Sequence, residues 1–239
     1  MNKLFIVMPA YNEETNIEMV INQWHPIVKK IGSSSKLVIF DDGSKDSTFS
    51  IMQKLQEKYP YLIPAKKQNS GHGATCLYAY QYAITNKADY IFQTDSDGQT
   101  SPDEFWDFWN LRKNYNFIIG TRKNRKDGFS RKIITKVLKL IIFLIFKVKI
   151  DDPNTPFRLM KTKKLKKYLS IVPPDFFLSN VLISILIVKN KELYKWLPIS
   201  FRPRQGGVNS INLKRIFKIG IKALRDFNNI KNKLNNYER

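Results

Sequence analysis

The sequence is poor in the residue types that build disulfide frameworks and closed metal cages. It has one cysteine, Cys76, and two histidines, His25 and His72, in 239 residues. A single cysteine excludes a disulfide within the chain and a zinc site built from cysteines. The two histidines share no spacing typical of metal ligands. A reduced, cytoplasmic setting is therefore the expectation.

Long hydrophobic runs are also missing. No apolar stretch reaches the roughly 18 residues needed to cross a bilayer, so we expect no transmembrane helix. The apolar start, Leu4–Ala10, is too short for a signal peptide and runs directly into Asn12-Glu13-Glu14. Hydrophobic residues still make up 43% of the chain, which is enough for a core and excludes a wholly disordered chain.

Acidic residues are scarce in the second half of the chain. Residues 1–119 carry 12 Lys+Arg and 13 Asp+Glu, whereas residues 120–239 carry 29 and 7. A basic half of this kind indicates an anionic partner, and nucleic acid, anionic lipid and phosphorylated small molecules are the candidates. A genome-wide preference for lysine is the alternative, but it would have acted on both halves.

The first half alternates between short apolar runs and helical patterns. Strands are expected at 4–9, 36–40, 62–66, 89–94 and 117–120, and helices at 13–31, 46–59, 71–86 and 102–114. This alternation predicts an α/β fold in which helices cover both faces of a mostly parallel sheet. Ligands of such sheets bind at the carboxyl ends of the strands.

The second half does not continue the alternation. Residues 132–150 predict a helix with lysines on one face and a continuous apolar face opposite. The lysines are Lys132, Lys136, Lys139 and Lys147, and the apolar face is Val137, Leu138, Ile141, Ile142, Leu144 and Ile145. Residues 151–160 are expected to be irregular, 176–188 an apolar helix, 192–201 a strand, and 213–234 a basic amphipathic helix.

Asp95-Ser96-Asp97 follows an apolar strand and is the strongest metal candidate. Carboxylates two residues apart on an extended segment point the same way, and they repel unless a cation lies between them. Mg²⁺ or Mn²⁺ takes one or two carboxylates together with substrate phosphates, and Gln99 could add an amide oxygen. The alternative is a turn that caps the next helix.

Two further polar clusters follow strands of the same predicted sheet. They are Pro9-Ala10-Tyr11-Asn12-Glu13 and Asp41-Asp42-Gly43-Ser44. Each alone is compatible with a helix start or a turn, but three such clusters at one sheet edge indicate a pocket for a nucleotide and its metal. Gly71-His72-Gly73 matches only part of a dinucleotide fingerprint, because Cys76 replaces the third glycine; His72 is a candidate for substrate contact.

These motifs, in this order, resemble the landmarks of family 2 glycosyltransferases with the GT-A fold, and in particular the dolichol-phosphate mannose synthase-like enzymes. The resemblance spans about residues 3–212. Its landmarks are Pro9–Glu13, Asp41–Ser44, Asp95–Gln99, Gly120-Thr121-Arg122, Phe157-Arg158-Leu159 and Arg204-Gln205-Gly206-Gly207. It implies a GT-A domain at 1–212, with a nucleotide-sugar and metal half (1–120), an acceptor half (121–212) and a basic C-terminal helix at 213–239.

The resemblance also implies roles for single residues. Pro9, Tyr11 and Glu13 would line the base and ribose pocket. Asp41, Asp42, Ser96 and Gly207 would belong to the substrate site, with Asp42 contacting the base. Asp95, Asp97 and Gln99 would hold Mg²⁺ or Mn²⁺ and the sugar diphosphate. The catalytic set would be Asp97 with Arg122, Arg158 and Arg204 near the phosphates, where charge develops as the diphosphate leaves.

Two departures concern the acceptor. Asn180 stands where the lipid-phosphate subgroup usually has Glu, and Thr155-Pro156 replaces a small residue and Gly. A hydroxyl acceptor needs a general base, whereas a lipid phosphate is already an anion. Loss of Glu at Asn180 mildly favours a phosphate, while Asp151, Asp152 and Asp175 remain candidate bases for a hydroxyl.

The expected function is an inverting, metal-dependent transfer of a sugar from a nucleotide-diphospho-sugar to a polyprenyl phosphate or a membrane-linked glycan. The enzyme would lie on the cytoplasmic face of an anionic membrane, where a membrane-protein partner is also conceivable. The alternative is a hydroxyl-acceptor glycosyltransferase of surface polysaccharide synthesis. Nucleic acid is not expected as a partner, because the acidic clusters would repel it; a basic nucleic-acid- or membrane-binding non-enzyme is the remote alternative.

Overall fold

The computed structural model describes residues 2–122, 128–203 and 224–231, with the backbone alone for residues 128–134. The strands are β1 Leu4–Ala10, β2 Lys36–Asp41, β3 Leu62–Lys66, β4 Tyr90–Gln93, β5 Phe117–Arg122, β6 Arg158–Lys161 and β7 Tyr194–Ile199. The helices are α1 Ile17–Ile31, α2 Thr48–Lys58, α3 His72–Thr85, α4 Phe105–Leu111, α5 Gly128–Phe146, α6 Thr162–Leu169 and α7 Ser179–Lys189. A 3₁₀ turn, Pro102–Glu104, precedes α4, and residues 224–231 are helical. The predicted domain boundary at 212 falls outside the described residues.

All strands form one sheet in the order β3-β2-β1-β4-β6-β5-β7. Every pairing is parallel except those of β6, which runs antiparallel to both β4 and β5. The predicted mostly parallel α/β sheet is therefore confirmed. The expectation that 151–160 is irregular is wrong at its end, because Arg158–Lys161 is a strand. Strand β6 has four residues and pairs with β4 on one side and β5 on the other. Such a short strand is too brief to show a periodic pattern in the sequence.

Each strand of the sheet contributes alternate side chains to two separate cores, as its pleat requires. On one face, Ile6 and Phe92 pack beneath α1, where the Trp24 ring lies 5.6 Å from that of Phe92. On the other face, Val7 and Ile91 pack beneath α3, α6 and α7. Both faces are thus covered, so a ligand of the sheet itself would bind at the strand ends.

Helix α7 is apolar around its whole circumference, as expected for a helix without a solvent face. Its residues from Ser179 to Ile187 are all buried. The helical segment at 224–231 adds Phe227, whose ring packs 5.6 Å from Phe146 and 6.0 Å from Phe176. The described part of the C-terminal helix therefore packs on the domain.

Helix α5 buries only part of the apolar face that the sequence predicts opposite its lysines. Ile142, Ile145 and Phe146 are buried. Large apolar side chains are nevertheless exposed beside Lys136 and Lys139; these are Val137, Leu140, Phe143 and Leu144. The outer face of α5 is therefore mixed apolar and basic. None of the helices in the described ranges is both long and apolar enough to cross a membrane.

The start of α3 lies directly against the segment that precedes α7. A Cβ atom placed on Gly73 would lie 2.4 Å from the carbonyl oxygen of Phe177 and 2.5 Å from that of Phe176. Neither backbone oxygen can move aside without shifting the segment. Glycine at position 73 therefore allows α3 to lie directly against the segment that precedes α7.

We expect Gly73→Ala to destabilise the fold by about 1–3 kcal/mol, because overpacking against backbone forces a shift. Urea unfolding monitored by circular dichroism measures this loss. Gln81→Ala, at an exposed site on the same helix, is the matched control and should change stability by less than about 0.5 kcal/mol. Equal stability of Gly73→Ala and the wild type would contradict the contact.

Candidate functional site

The segments that follow β1, β2 and β4 meet at one edge of the sheet. The Ser96 hydroxyl donates a hydrogen bond to the Pro9 carbonyl at 2.8 Å, and Ser96 is 2% exposed. The Asp42 N–H donates to the Ala10 carbonyl at 2.8 Å. The three polar clusters that the sequence places at this edge are therefore physically joined, with Pro9 and Ser96 forming the buried floor.

The turn after β1 is held against the turn after β2. Asn12 adopts a positive φ of 54°; its N–H donates to Ser44 Oγ, and its side-chain oxygen accepts from the Lys45 N–H, both at 2.9 Å. These bonds leave Tyr11 projecting at the rim, 43% exposed, while Glu13 is 6% exposed. Tyr11 is thus accessible to a ligand, whereas Glu13 is buried and accepts from the Asn16 side chain.

Asp41 is wholly buried and holds the turn at the end of β2. Both of its carboxylate oxygens accept from the Ser44 N–H, at 3.2 and 3.3 Å. Its exposed fraction is 0%. Asp41 therefore holds the turn from its buried side, and its expected contact with substrate stays a prediction.

Asp42 anchors the loop between β3 and α3. Lys67 Nζ lies 2.6 Å from Oδ1, the Ser70 N–H donates to the same oxygen at 2.9 Å, and the Gly71 N–H donates to Oδ2 at 2.8 Å. Burial alone would raise the pKa of Asp42, but these bonds, a bond from Thr75 and the charge of Lys67 hold it below its ordinary value. The contact with a nucleotide base stays a prediction.

Asp95 and Asp97 lie in the loop after β4, at the same edge of the sheet. Asp95 Oδ1 is 2.9 Å from His72 Nε2, and the side chain of Asp95 is 25% exposed. Attraction to Cys76 and then to Asp95 raises the pKa of His72 well above its ordinary value. Asp97 Oδ1 accepts from the Gln99 N–H at 3.1 Å, across a turn at Gly98 that has a φ of 72°.

Gln99 connects this loop to the chain that follows β7. Its side-chain amide donates to the Arg202 carbonyl at 2.8 Å, and its own carbonyl accepts from the Arg202 N–H at 2.8 Å. Arg202 Nη2 lies 3.1 Å from Ser101 Oγ. These bonds bring the guanidinium of Arg202, a residue that the sequence motifs do not identify, to the loop after β4.

Arg122 ends β5 and is held in a bidentate ion pair. Its Nε and Nη2 each lie 2.7 Å from an oxygen of Asp152, and its guanidinium lies 5.1 Å from the ring centre of Phe201. The side chains of Arg122 and Asp152 are 10% and 6% exposed. Asp152 therefore orients Arg122 through both of its carboxylate oxygens, and its role as a general base stays a prediction.

Arg158 is buried in the interior, and its expected contact with phosphate stays a prediction. Its guanidinium donates to the carbonyls of Pro153, Thr155 and Asn180 and to the Ser184 hydroxyl, at 3.0–3.2 Å. Burial lowers its pKa. Arg158 therefore fixes the loop before β6 to α7. Arg204 and Gly207, also expected at the site, lie outside the described residues.

The donor set fits a hard divalent cation only in part. Asp95 and Asp97 supply carboxylate oxygens, the ligands that Mg²⁺ and Mn²⁺ prefer. Within the described ranges, no three His, Cys, Asp or Glu side chains converge as a closed cage. Oxygens from a bound diphosphate would have to complete the coordination, as is usual for Mg²⁺ in phosphate-transfer sites.

Sequence reasoning could not find the supporting partners of this site. Lys67, Arg202 and Asp152 meet their partners across 25, 103 and 30 residues. No local spacing signals such pairs. The Gly-His-Gly start of α3 was visible as a pattern, but only the fold shows that it faces Asp95.

A model of glycosyl transferase family 2 matches residues 5–169 of the chain. A curated relative, the UDP-N-acetylglucosamine–dolichyl-phosphate N-acetylglucosaminyltransferase of Methanococcus voltae, is 29% identical over 185 residues, 68% of this chain and 71% of that protein. The undecaprenyl-phosphate 4-deoxy-4-formamido-L-arabinose transferase of Salmonella paratyphi B is 28% identical over 143 residues. That second match spans 59% of this chain and only 43% of the relative.

Solved structures with the same fold include two sugar transferases. Glucosyl-3-phosphoglycerate synthase of Mycobacterium tuberculosis, in complex with Mn²⁺, UDP and glucosyl-3-phosphoglycerate, has a TM-score of 0.65 at 15% identity, over 95% of this chain and 78% of that one. Mannosyl-3-phosphoglycerate synthase of Rubrobacter xylanophilus has a TM-score of 0.67 at 13% identity, over 95% and 73%. At these identities the likeness establishes the fold, and it confirms the predicted GT-A type.

We expect Asp42→Asn to lower the free energy of unfolding at pH 7 by about 1–3 kcal/mol, because buried donors lose a charged acceptor. The folded-state pKa of Asp42 is lowered, so its contribution is present above the unfolded pKa of about 3.9 and disappears as the pH falls through the folded value. Urea unfolding at pH 7 and pH 3 should therefore show the two proteins converging in acid.

The exposed carboxylate Glu57 provides the control for this measurement. Glu57→Gln should leave the stability unchanged within about 0.5 kcal/mol at pH 7. If Asp42→Asn were as stable as Glu57→Gln at neutral pH, the loop anchor assigned to Asp42 would be wrong.

Proposed function

The chain belongs to glycosyl transferase family 2, and from that premise we propose that it transfers a sugar from a nucleotide-diphospho-sugar to a polyprenyl phosphate with inversion at the sugar. The observation that carries this proposal is the meeting of the three strand ends at one edge, where Ser96 is tied to Pro9. That arrangement places the Asp95 loop beside the segment that carries Tyr11, so one pocket can hold both a nucleoside and its diphosphate.

Asp95 and Asp97 are the residues proposed to hold Mg²⁺ or Mn²⁺, with Gln99 as a further oxygen donor. A cation bound there would stabilise the negative charge that gathers on the diphosphate as the sugar bond breaks. Gln99 already donates its amide N–H to Arg202, which leaves its side-chain oxygen as the atom that could coordinate. The glucosyl-3-phosphoglycerate synthase crystal, which contains Mn²⁺ and UDP, supports a cation in this fold.

Arg122 is the arginine proposed to act near the phosphates. Asp152 binds its Nε and one Nη2 proton, and a guanidinium has five N–H donors, so Nη1 remains for an anion. The ion pair fixes the direction of that group in advance, which lowers the cost of ordering a long side chain when substrate arrives. Arg158 supports the acceptor side only indirectly, by holding the loop before β6.

The ion pair of Asp152 bears on the acceptor. A hydroxyl acceptor needs a general base, and Asp152 is already bonded to Arg122 through both oxygens. A phosphate monoester is anionic near neutral pH and needs no base. Both curated relatives are named for polyprenyl-phosphate acceptors, which supports the same choice. Transfer to a glycan hydroxyl remains the second candidate, because Asp151 is exposed beside Asp152 and could take a proton.

The outer face of α5 is proposed to lie on the cytoplasmic surface of an anionic membrane. Leu140 and Leu144 are 57% and 55% exposed, an unusual state for large apolar side chains on adjacent turns. Lys136 and Lys139 are exposed beside them. Apolar side chains can enter the acyl boundary while lysines reach the headgroups, and each lysine contributes about 1 kcal/mol near an anionic leaflet. A lipid-linked acceptor requires such a location.

The metal assignment predicts that Asp97→Ala abolishes transfer and metal-dependent nucleotide binding while the fold survives. Loss of a ligand removes several kcal/mol of charge stabilisation, so the rate of sugar transfer should fall at least about a hundredfold. Calorimetry of UDP and GDP, each with and without Mn²⁺, provides the binding measurement.

Asp103→Asn, an exposed carboxylate just beyond the loop, is the control and should bind as the wild type does. Nucleotide binding of equal strength with and without Mn²⁺ in the wild-type protein would count against the cation. Near-normal transfer by folded Asp97→Ala would do the same.

The membrane assignment predicts that Leu140→Ser combined with Leu144→Ser weakens binding to vesicles of anionic lipid. A fully buried leucine side chain contributes about 1.5–3 kcal/mol, so partition should fall by about tenfold or more. Flotation at low and high salt measures it. Leu193 lies outside α5 and is 56% exposed, so Leu193→Ser is the control and should float as the wild type does. An equal loss of vesicle binding in the control and in the double variant would exclude this surface. Absence of wild-type binding to anionic vesicles at low salt would also exclude it.

A further inference from the structure

His72 lies at the rim of the pocket, in contact with the first carboxylate of the metal loop. Its Nε2 is 2.9 Å from Asp95 Oδ1, and its side chain is 48% exposed. This is a side-chain contact across 23 residues between the start of α3 and the end of β4. It joins two elements that each carry part of the candidate site.

The backbone on both sides of His72 is fixed. Before it, Gly71 has a φ of 84°, a conformation that favours glycine, and donates its N–H to Asp42. After it, Gly73 lies too close to the carbonyls of Phe176 and Phe177 to accept a side chain. The imidazole is therefore presented to Asp95 by a rigid turn.

The sulfur of Cys76 lies one helical turn further along α3 and packs against the imidazole, 3.8 Å from Nδ1 and 3.9 Å from Nε2. An ionised carboxylate accepts hydrogen bonds and cannot donate them, so Nε2 carries a hydrogen and donates it to Asp95 Oδ1. The other oxygen of Asp95 is then available to a cation.

We propose that His72 is a positioning residue that orients the Asp95 carboxylate for the divalent cation. The proposal rests on the proposed function, because it takes Asp95 as a metal ligand. A carboxylate that is held by one hydrogen bond needs less ordering when a cation binds, and loss of such an outer partner typically weakens metal affinity 10–100-fold. The loop that leads into His72 is itself anchored by Asp42, through Lys67, Ser70 and Gly71. Residues 67–72 therefore connect the proposed nucleotide site to the proposed metal site.

The test is direct titration of Mn²⁺, in which binding is measured as the loss of the free-ion signal in electron paramagnetic resonance. One series of titrations contains UDP and a parallel series contains GDP. We expect His72→Ala to weaken Mn²⁺ binding by about 10–100-fold. His72→Gln, whose amide can donate from nearly the same position as Nε2, should recover most of the affinity. Thermal unfolding of each variant establishes that the protein titrated is folded.

The other histidine supplies the control. His25 lies between Tyr59 and Tyr61 and accepts from the Tyr61 N–H, so His25→Gln should bind Mn²⁺ as the wild type does. Unchanged or tighter Mn²⁺ binding by folded His72→Ala, with wild-type binding intact, would overturn the role of His72 alone. Absence of nucleotide-dependent Mn²⁺ binding in the wild type would overturn both this role and the proposed metal site.

Discussion

The carboxylate of Asp42 is the contact on which the candidate site depends. It lies at the end of β2, 3% exposed, and takes hydrogen bonds from Lys67, Ser70 and Gly71. Those bonds fix the loop that leads into α3, and hence the position of His72 beside Asp95. A buried charge is costly unless it is paired and fully hydrogen-bonded, and here both conditions are met by one short loop.

The nearly neutral first half and the basic second half of the sequence meet at the sheet edge. The acidic loops after β2 and β4 come from the first half, while Arg122, Arg202 and Asp152 belong to the strands and turns of the second. Arg122 is neutralised by Asp152, and Arg158 is buried among carbonyl groups. Much of the basic excess therefore lies elsewhere, including the exposed lysines of α5 beside Leu140.

The sequence alone predicts the parallel part of the sheet well, because β1 to β4 follow the alternation of apolar runs and helices. The edge at which the three polar clusters meet follows from the same pattern. The antiparallel β6 could not be predicted, because a four-residue strand between two others leaves no periodic signal. The sequence also does not show which part of the apolar face of α5 is buried, because a helical projection shows which residues share a face but not how much of that face the fold covers. Ile142 is buried, whereas Val137 and Leu144 are exposed.

Single roles within the site are harder to predict than its place. Asp41 and Arg158 have the charged groups expected of a phosphate-transfer site. In the structure, however, Asp41 holds a turn and Arg158 fixes the loop before β6 to α7. A motif identifies residue types at a strand end, whereas the direction of each side chain depends on distant partners. Lys67, Asp152 and Arg202 are such partners, and they become visible only when the chain is folded.

We propose that the groups at this sheet edge transfer a sugar to a polyprenyl phosphate. The most direct measurement incubates the protein and Mn²⁺ with a panel of nucleotide sugars and either polyprenyl phosphate or the matching polyprenol, and resolves the products by mass. We expect polyprenyl phosphate to gain the mass of one sugar from at least one donor, and the polyprenol to gain none. Sugar transfer to a hydroxyl acceptor, with polyprenyl phosphate unchanged for every donor, would contradict it.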